Sequence, residues 1–194
     1  MEQHIAEWKK LGLRFNGICT GFLGSEKQIR IVSNFIDEFN EPETIVMVDP
    51  VMGDEGRPYA TYTPAMCQGM RELVAKADII SPNLTEACIL ANRPYREAVT
   101  PTDALELARE LTALGPKRVI VTGVEQENMV VNACCEQGGE SFTVADPRLG
   151  GQRSGTGDVF SAIIIADAVN GVPFEESVRK ASRFVKDCVQ RSIE

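Results

Sequence analysis

Gly155-Thr156-Gly157-Asp158 runs without a break into Val159-Phe160-Ser161-Ala162-Ile163-Ile164-Ile165-Ala166. Glycines turn the chain and let its backbone approach a ligand. The apolar run behind them has helical length, so the first N–H groups of that helix point out of its start. A helix start of this kind is an anion site. Asp158 lies in the first turn, at the positive end of the dipole. A carboxylate beside oxyanion donors suits phosphoryl transfer to a hydroxyl. The same four residues also read as a tight glycine turn with an aspartate helix cap.

Outward from this stretch, short β-branched runs alternate with amphipathic helices. Ile5, Trp8 and Leu11 form a helical stripe that stops at Gly12, and a strand is expected from Phe15 to Cys19. Ser25 caps a helix carrying Ile29, Val32, Ile36 and Phe39 at helical spacing. Thr44-Ile45-Val46-Met47-Val48 reads as a buried parallel strand ending at Asp49-Pro50. A loop to about Tyr62 precedes a helix opened by Thr63-Pro64, with Met70, Leu73 and Val74 inward. Asp78 to Ser81 is the next strand, and Asn83 to Leu90 a loop turning into a short helix. Thr100-Pro101-Thr102-Asp103 is a capping box with proline at the first helical position. The helix it opens runs through Leu111 and Leu114 and stops at Gly115. Arg118 to Thr122 gives a buried strand; Met129 to Cys134 and Ser141 to Ala145 flank Gly138-Gly139 as a hairpin. The last helix spans Phe174 to Val189, with Val178, Ala181, Phe184, Val185 and Cys188 inward.

This order predicts an α/β fold with a mostly parallel sheet covered on both faces. Ligands of such sheets bind beyond the carboxyl ends of the strands, so the loops beginning at Thr20, Asp49, Ser81 and Thr122 are expected at one rim with Gly155. The chain of 194 residues, 43% apolar and 25% charged, is of a size for one domain, 1–194, with a sizeable core. Its net charge of −8 argues against a nucleic-acid or anionic-membrane surface. A phosphate ligand would then lean on backbone amides and a bound cation. Cys19, Cys67, Cys88, Cys134, Cys135 and Cys188 are scattered, with only His4 to complete a zinc set, and read as reduced core thiols. His4 itself reads as a surface side chain. Without a leader or a spanning apolar run, the expected location is the cytoplasm.

Three further motifs at the expected rim carry chemistry. Asp49-Pro50-Val51-Met52-Gly53-Asp54 offers two carboxylates around a glycine, and hard oxygen ligands suit Mg²⁺. Asp54 is the metal-side candidate; Asp49 reads as a turn residue before proline rather than as a catalyst. Asn83-Leu84-Thr85-Glu86 sets an amide and a carboxylate three apart at a helix start, either facing one site or forming a plain cap. Thr122-Gly123, at a strand end, places a hydroxyl for a phosphate.

Taken with Thr20-Gly21-Phe22-Leu23-Gly24-Ser25, these motifs resemble pyridoxal/pyridoxamine kinases of the ribokinase-like superfamily, in order and over nearly the whole chain. The resemblance implies a three-layer α/β/α fold and transfer of the ATP γ-phosphate to the 5′-hydroxymethyl group of a B6 vitamer. By it, Asp158 is the base and contacts the substrate, and Gly155, Thr156 and Gly157 form the anion hole. Asp54 and Glu86 support Mg²⁺, while Asp54, Tyr59, Asn83 and Thr122 serve the nucleotide. Phe22 falls where an aromatic residue meets the pyridine ring. The family's habit implies a homodimer. The region from Val169 to Phe174 is expected near the adenine.

The nearest rival is hydroxymethylpyrimidine phosphate kinase, which shares the Asp-Pro-Val-Met run. That branch resembles Gly-Thr-Gly-Cys where this chain has Asp158. Met1 matches an internal position of the family, so the domain is expected to be partial, lacking the first strands and most residues around the pyridine ring. A third reading follows, in which the chain alone is a non-catalytic piece retaining nucleotide binding or an interaction role.

Overall fold

The computed structural model describes residues 1–96, 99–150 and 153–193. The chain opens with α1 (Glu2–Lys10), β1 (Gly17–Thr20), α2 (Glu26–Phe39) and β2 (Ile45–Val48). A two-stranded hairpin, β3 (Gly53–Asp54) and β4 (Arg57–Pro58), leads to α3 (Pro64–Val74), β5 (Ile79–Ile80), α4 (Leu84–Ala91) and α5 (Pro101–Thr112). Three longer strands follow, β6 (Arg118–Gln126), β7 (Met129–Glu136) and β8 (Ser141–Pro147), and then α6 (Thr156–Val169) and α7 (Phe174–Arg191).

The main sheet has the order β1-β2-β5-β6-β7-β8. Its first four strands are parallel, and β7 and β8 extend it antiparallel. Alternation along each strand builds two cores. Val46, Val48, Ile80, Val119 and Val121 face α2, α3, α4 and α5, through residues such as Ile36, Met70, Leu90 and Leu111. Met47, Ile79, Ile120 and Cys134 face α6 and α7, through Phe160, Ile164, Val178 and Ala181. This period-two division makes the three layers.

Local chemistry sets the helix starts. The Ser25 and Thr63 hydroxyls accept from the Gln28 and Met66 amides at 3.2 and 3.1 Å. Thr100 and Asp103 form the expected reciprocal box. Gly17 lets α6 lie close over β1, since a Cβ there would meet the Val169 side chain at 2.8 Å.

Some sequence expectations shift. Strand β1 starts two residues after Phe15, and β6 continues past Thr122 through a register shift between Val121 and Val124. On α7, Val178 and Ala181 are buried but Phe184 is 52% exposed and Cys188 is exposed, because the helix drapes only one narrow stripe over the sheet. Three of the six cysteines, Cys88, Cys134 and Cys135, are buried; Cys19, like Cys188, is at the surface. Among the described residues no helix is long and apolar enough to cross a membrane.

Candidate active site

Beyond the carboxyl ends of β2, β5 and β6 lies a cleft of about 730 Å³. The start of α6 forms one wall. Gly155 is the N-cap with φ 85°, a left-handed conformation that disfavours any side chain, and as a glycine it supplies no side-chain cap. Thr156, Gly157 and Asp158 follow along the same wall. The Thr156 hydroxyl donates to the Arg153 carbonyl at 3.1 Å, which steadies the turn. Asp158 is exposed and lies beside the loop after β1: a Cβ on Gly21 would stand 3.6 Å from its Oδ1.

The opposite wall is the Asp49–Tyr59 loop, gripped by α4. Asn83 Oδ1 accepts from the Glu86 amide at 2.9 Å, and Glu86 Oε2 accepts from the Asn83 amide at 2.8 Å. Asn83 Nδ2 donates to the Gly53 carbonyl at 2.8 Å, and Glu86 Oε1 accepts from the Met52 amide at 3.1 Å. The Thr85 hydroxyl accepts from the Gly56 amide at 2.9 Å. The cap and the site are therefore one structure. Gly53 has no room for a side chain, as a Cβ would meet the Arg57 carbonyl oxygen at 2.3 Å. Glu55 and Gly56, with φ 50° and 77°, make the tight turn that presents Asp54 at the surface of the cleft.

Burial dominates the electrostatics of this wall. Glu86 is 3% exposed, and desolvation pushes its carboxyl up to about 8, although the Asn83 and Met52 amides favour the charged form. Desolvation likewise raises Asp49 to about 6 against a hydrogen bond from Ser161, and the nearby Asp158 charge adds to the rise. The Tyr59 phenol is raised by burial and by the Asp54 carboxylate.

Asp54, Tyr59, Asn83, Glu86, Thr122, Gly155, Thr156, Gly157 and Asp158 all line the cleft. Phe22 does not. It is 54% exposed on the loop after β1, packed against Gly24 and tilted over Tyr62 with ring centroids 6.1 Å apart. The Val169–Phe174 region lies at the far end of α6, about 20 Å from Gly155 by helix rise, where Val172 and Phe174 pack by Ile79 and Arg118. The region expected near the adenine is therefore not part of the cleft lining. Helix α7 returns alongside α6 instead, and it brings Ser182, Val185, Lys186 and Val189 to the cleft opposite Val130 and Asn132. Cations also reach the cleft: Arg148, paired with Glu125 at 2.9 Å, Lys186, paired with Asp146 at 3.1 Å, and Arg153. Their spacing in sequence carries no signal of this convergence.

Among the described residues no three His, Cys, Asp or Glu side chains gather for a metal. Magnesium carried on nucleotide phosphates needs only one or two carboxylates beside its waters. Asp54 fits that role directly. Glu86, with an amide on each oxygen, fits it only through water.

A mostly parallel sheet between two helical layers, with a glycine-started helix over its strand ends, is the ribokinase-like arrangement. Within that class, residues 7–194 match the phosphomethylpyrimidine kinase family, and the chain belongs to it. The pyridoxine/pyridoxal/pyridoxamine kinase of Bordetella avium is 31% identical over 87% of this chain and 57% of its own length. The hydroxymethylpyrimidine/phosphomethylpyrimidine kinase of Haemophilus influenzae is 28% identical over 89% of this chain and 64% of its own. A Bacteroides thetaiotaomicron crystal structure, provisionally named a phosphomethylpyrimidine kinase, superposes with TM-score 0.95 at 37% identity, covering 99% of this chain and 67% of that one. A second crystal form with pyridoxal gives TM-score 0.89 at 38% identity, covering 95% and 66%. The chain thus spans about three fifths of the length of these curated relatives.

Proposed function

We propose that the whole protein transfers the γ-phosphate of ATP to the 5′-hydroxymethyl group of pyridoxal, pyridoxamine or pyridoxine, as a vitamin B6 salvage kinase of the cytoplasm and a homodimer. The observation that carries the reading is Asp158 in the first turn of an uncapped, glycine-started helix that walls the cleft. The Gly155, Thr156 and Gly157 amides hold the γ-phosphate oxygens as charge builds on them. Asp158 takes the proton of the attacking hydroxyl. Magnesium bound with ATP would neutralise phosphate charge, held by Asp54 directly and by Glu86 through water. Asn83 fixes the Asp54 hairpin through Gly53, and Thr122 and Tyr59 flank the phosphates. Phe22 stacks on the pyridine ring from the rim.

Hydroxymethylpyrimidine phosphorylation is the second reading, favoured by the Haemophilus relative. A third is that this length of chain binds nucleotide without catalysing transfer. It is supported by the open edge of β1, over which Val159 and Val169 of α6 remain 38% and 36% exposed. The test is product analysis by mass spectrometry after incubation with Mg-ATP and a mixture of the three B6 vitamers and hydroxymethylpyrimidine, for this chain and an N-terminally extended version. Phosphorylated B6 vitamer from the extended protein supports the proposal. Phosphorylated hydroxymethylpyrimidine alone selects the second reading. Activity from both lengths removes the third.

A further inference from the structure

Under the start of α6, and lining the same cleft, lies a buried polar cluster to which the proposed chemistry gives no role. Asp49, Ser81 and Ser161 are 7%, 4% and 3% exposed, and they come from the end of β2, the end of β5 and the second turn of α6. Ser161 Oγ donates to Asp49 Oδ2 at 3.2 Å and stands 3.0 Å from Ser81 Oγ. An ionised carboxylate only accepts, so Ser161 donates to Asp49, and the Ser81 hydroxyl also acts on that carboxylate as a donor. The cluster ties the ends of β5 and β2 to α6.

Helix α6 needs such a tie. Its run from Val159 to Ala166 is apolar around the circumference, so packing alone specifies its rotation weakly, and a satisfied buried polar contact supplies what packing does not. Its other polar anchor, Asp167 to Lys180 at 2.7 Å, joins the opposite end of the helix to α7, not to the sheet. Ser161 lies three residues after Asp158 and four after Gly157, on the same helical face. A Cβ on Gly157 would stand 3.8 Å from Asp49 Oδ2, so the first turn rests directly over that carboxylate.

We propose that Ser161 is a positioning residue: held by Ser81 and bonded to Asp49, it fixes the rotation of α6 and so the placement of Asp158 and the Gly155–Gly157 amides. The role rests on the kinase reading of this cleft. The other ionisable groups coupled to Asp49 are Asp158, Tyr59 of the loop after β4 and, from α4, Glu86, with Cys19 of β1 beside them.

The test compares Ser161→Ala, Ser161→Thr and Ser81→Ala in the extended protein. Ser161→Ala is expected to lower kcat about ten- to a hundred-fold, as for a small misplacement of the reacting groups, with KM for ATP little changed. Ser161→Thr retains the hydroxyl and recovers most of the loss, and Ser81→Ala falls between. The ratio of wild-type to Ser161→Ala activity shrinks as acid neutralises Asp49. Hydrogen exchange reads the tie without catalysis: Ser161→Ala speeds exchange of amides 157–161 and leaves β6–β8 unchanged, whereas Ser161→Thr does not speed it. Unchanged kcat and unchanged exchange in Ser161→Ala overturn the proposal, as does equal loss in Ser161→Thr. If wild type transfers no phosphate, the kinase reading fails separately, and the exchange pattern alone decides the role of Ser161.

Discussion

Two helix starts face each other across the cleft, and they are built in opposite ways. At α4, Asn83 and Glu86 cap the helix reciprocally, and the spare donor and acceptor of each reach over to Gly53 and Met52. At α6, the N-cap is a glycine in the left-handed region, which has no side chain to cap the first amides. The first start is closed by its own residues and serves as a clamp on the Asp54 hairpin. The second is left for a ligand that brings its own negative charge. Both look like caps in sequence; only the completeness of the cap separates holding a wall from holding a phosphate.

The sharpest way to break this comparison is Asp158→Asn. It should lower kcat by about 10² to 10⁴ while nucleotide affinity changes little, read from steady-state rates and ADP titration. A variant within a few-fold of wild type would leave the open start without a base.

The closed start responds to pH. The folded protein holds a proton on Glu86 up to about 8, whereas the unfolded chain releases it near the ordinary 4.5. Bound protons are then fewer in the unfolded state between those values. Stability of the ligand-free protein should fall as pH rises from about 4.5 to 8, on the order of a few kcal/mol, with Asp49 adding in the same sense between 3.8 and about 6. Glu86→Gln should flatten the slope in denaturant melts. It should also raise the magnesium needed for half-maximal activity, and an unchanged magnesium titration would leave Glu86 as a cap alone.

Smaller effects sharpen the contrast. Gly155→Ala forces a Cβ into a left-handed residue at a cost of about 1–2 kcal/mol, and should weaken binding of a non-hydrolysable ATP analogue about ten-fold. Asn83→Ala should cost about 1–2 kcal/mol of stability by removing the cap, with a smaller change in affinity for the analogue. A larger affinity loss in Asn83→Ala than in Gly155→Ala would exchange the roles of the two starts.

Much of this arrangement was legible in residues with strong local chemistry. Thr100, Pro101 and Asp103 announced α5, and the alternating runs at Val46 and Ile120 announced buried strands, because capping and burial act over a few neighbouring positions. The β3–β4 hairpin was not legible: strands of two residues have no periodicity, and the Gly53 requirement comes from contact with Arg57 across the turn. The α7 wall of the cleft was not legible because it depends on α7 doubling back along α6. Only the tertiary packing brings Lys186 and Val189 to the same cleft as Gly155. The rim position of Phe22 was equally illegible: its contact with Tyr62, outside the cleft lining, depends on how the loop after β1 packs.

The most direct test is a ¹⁵N–¹H titration of this chain with a non-hydrolysable ATP analogue and magnesium, following the amides at both helix starts. The account predicts large shifts for Gly155, Thr156 and Gly157 and small ones for Thr85 and Glu86, whose surroundings are already filled. Large shifts at the α4 start with a silent α6 start would contradict it.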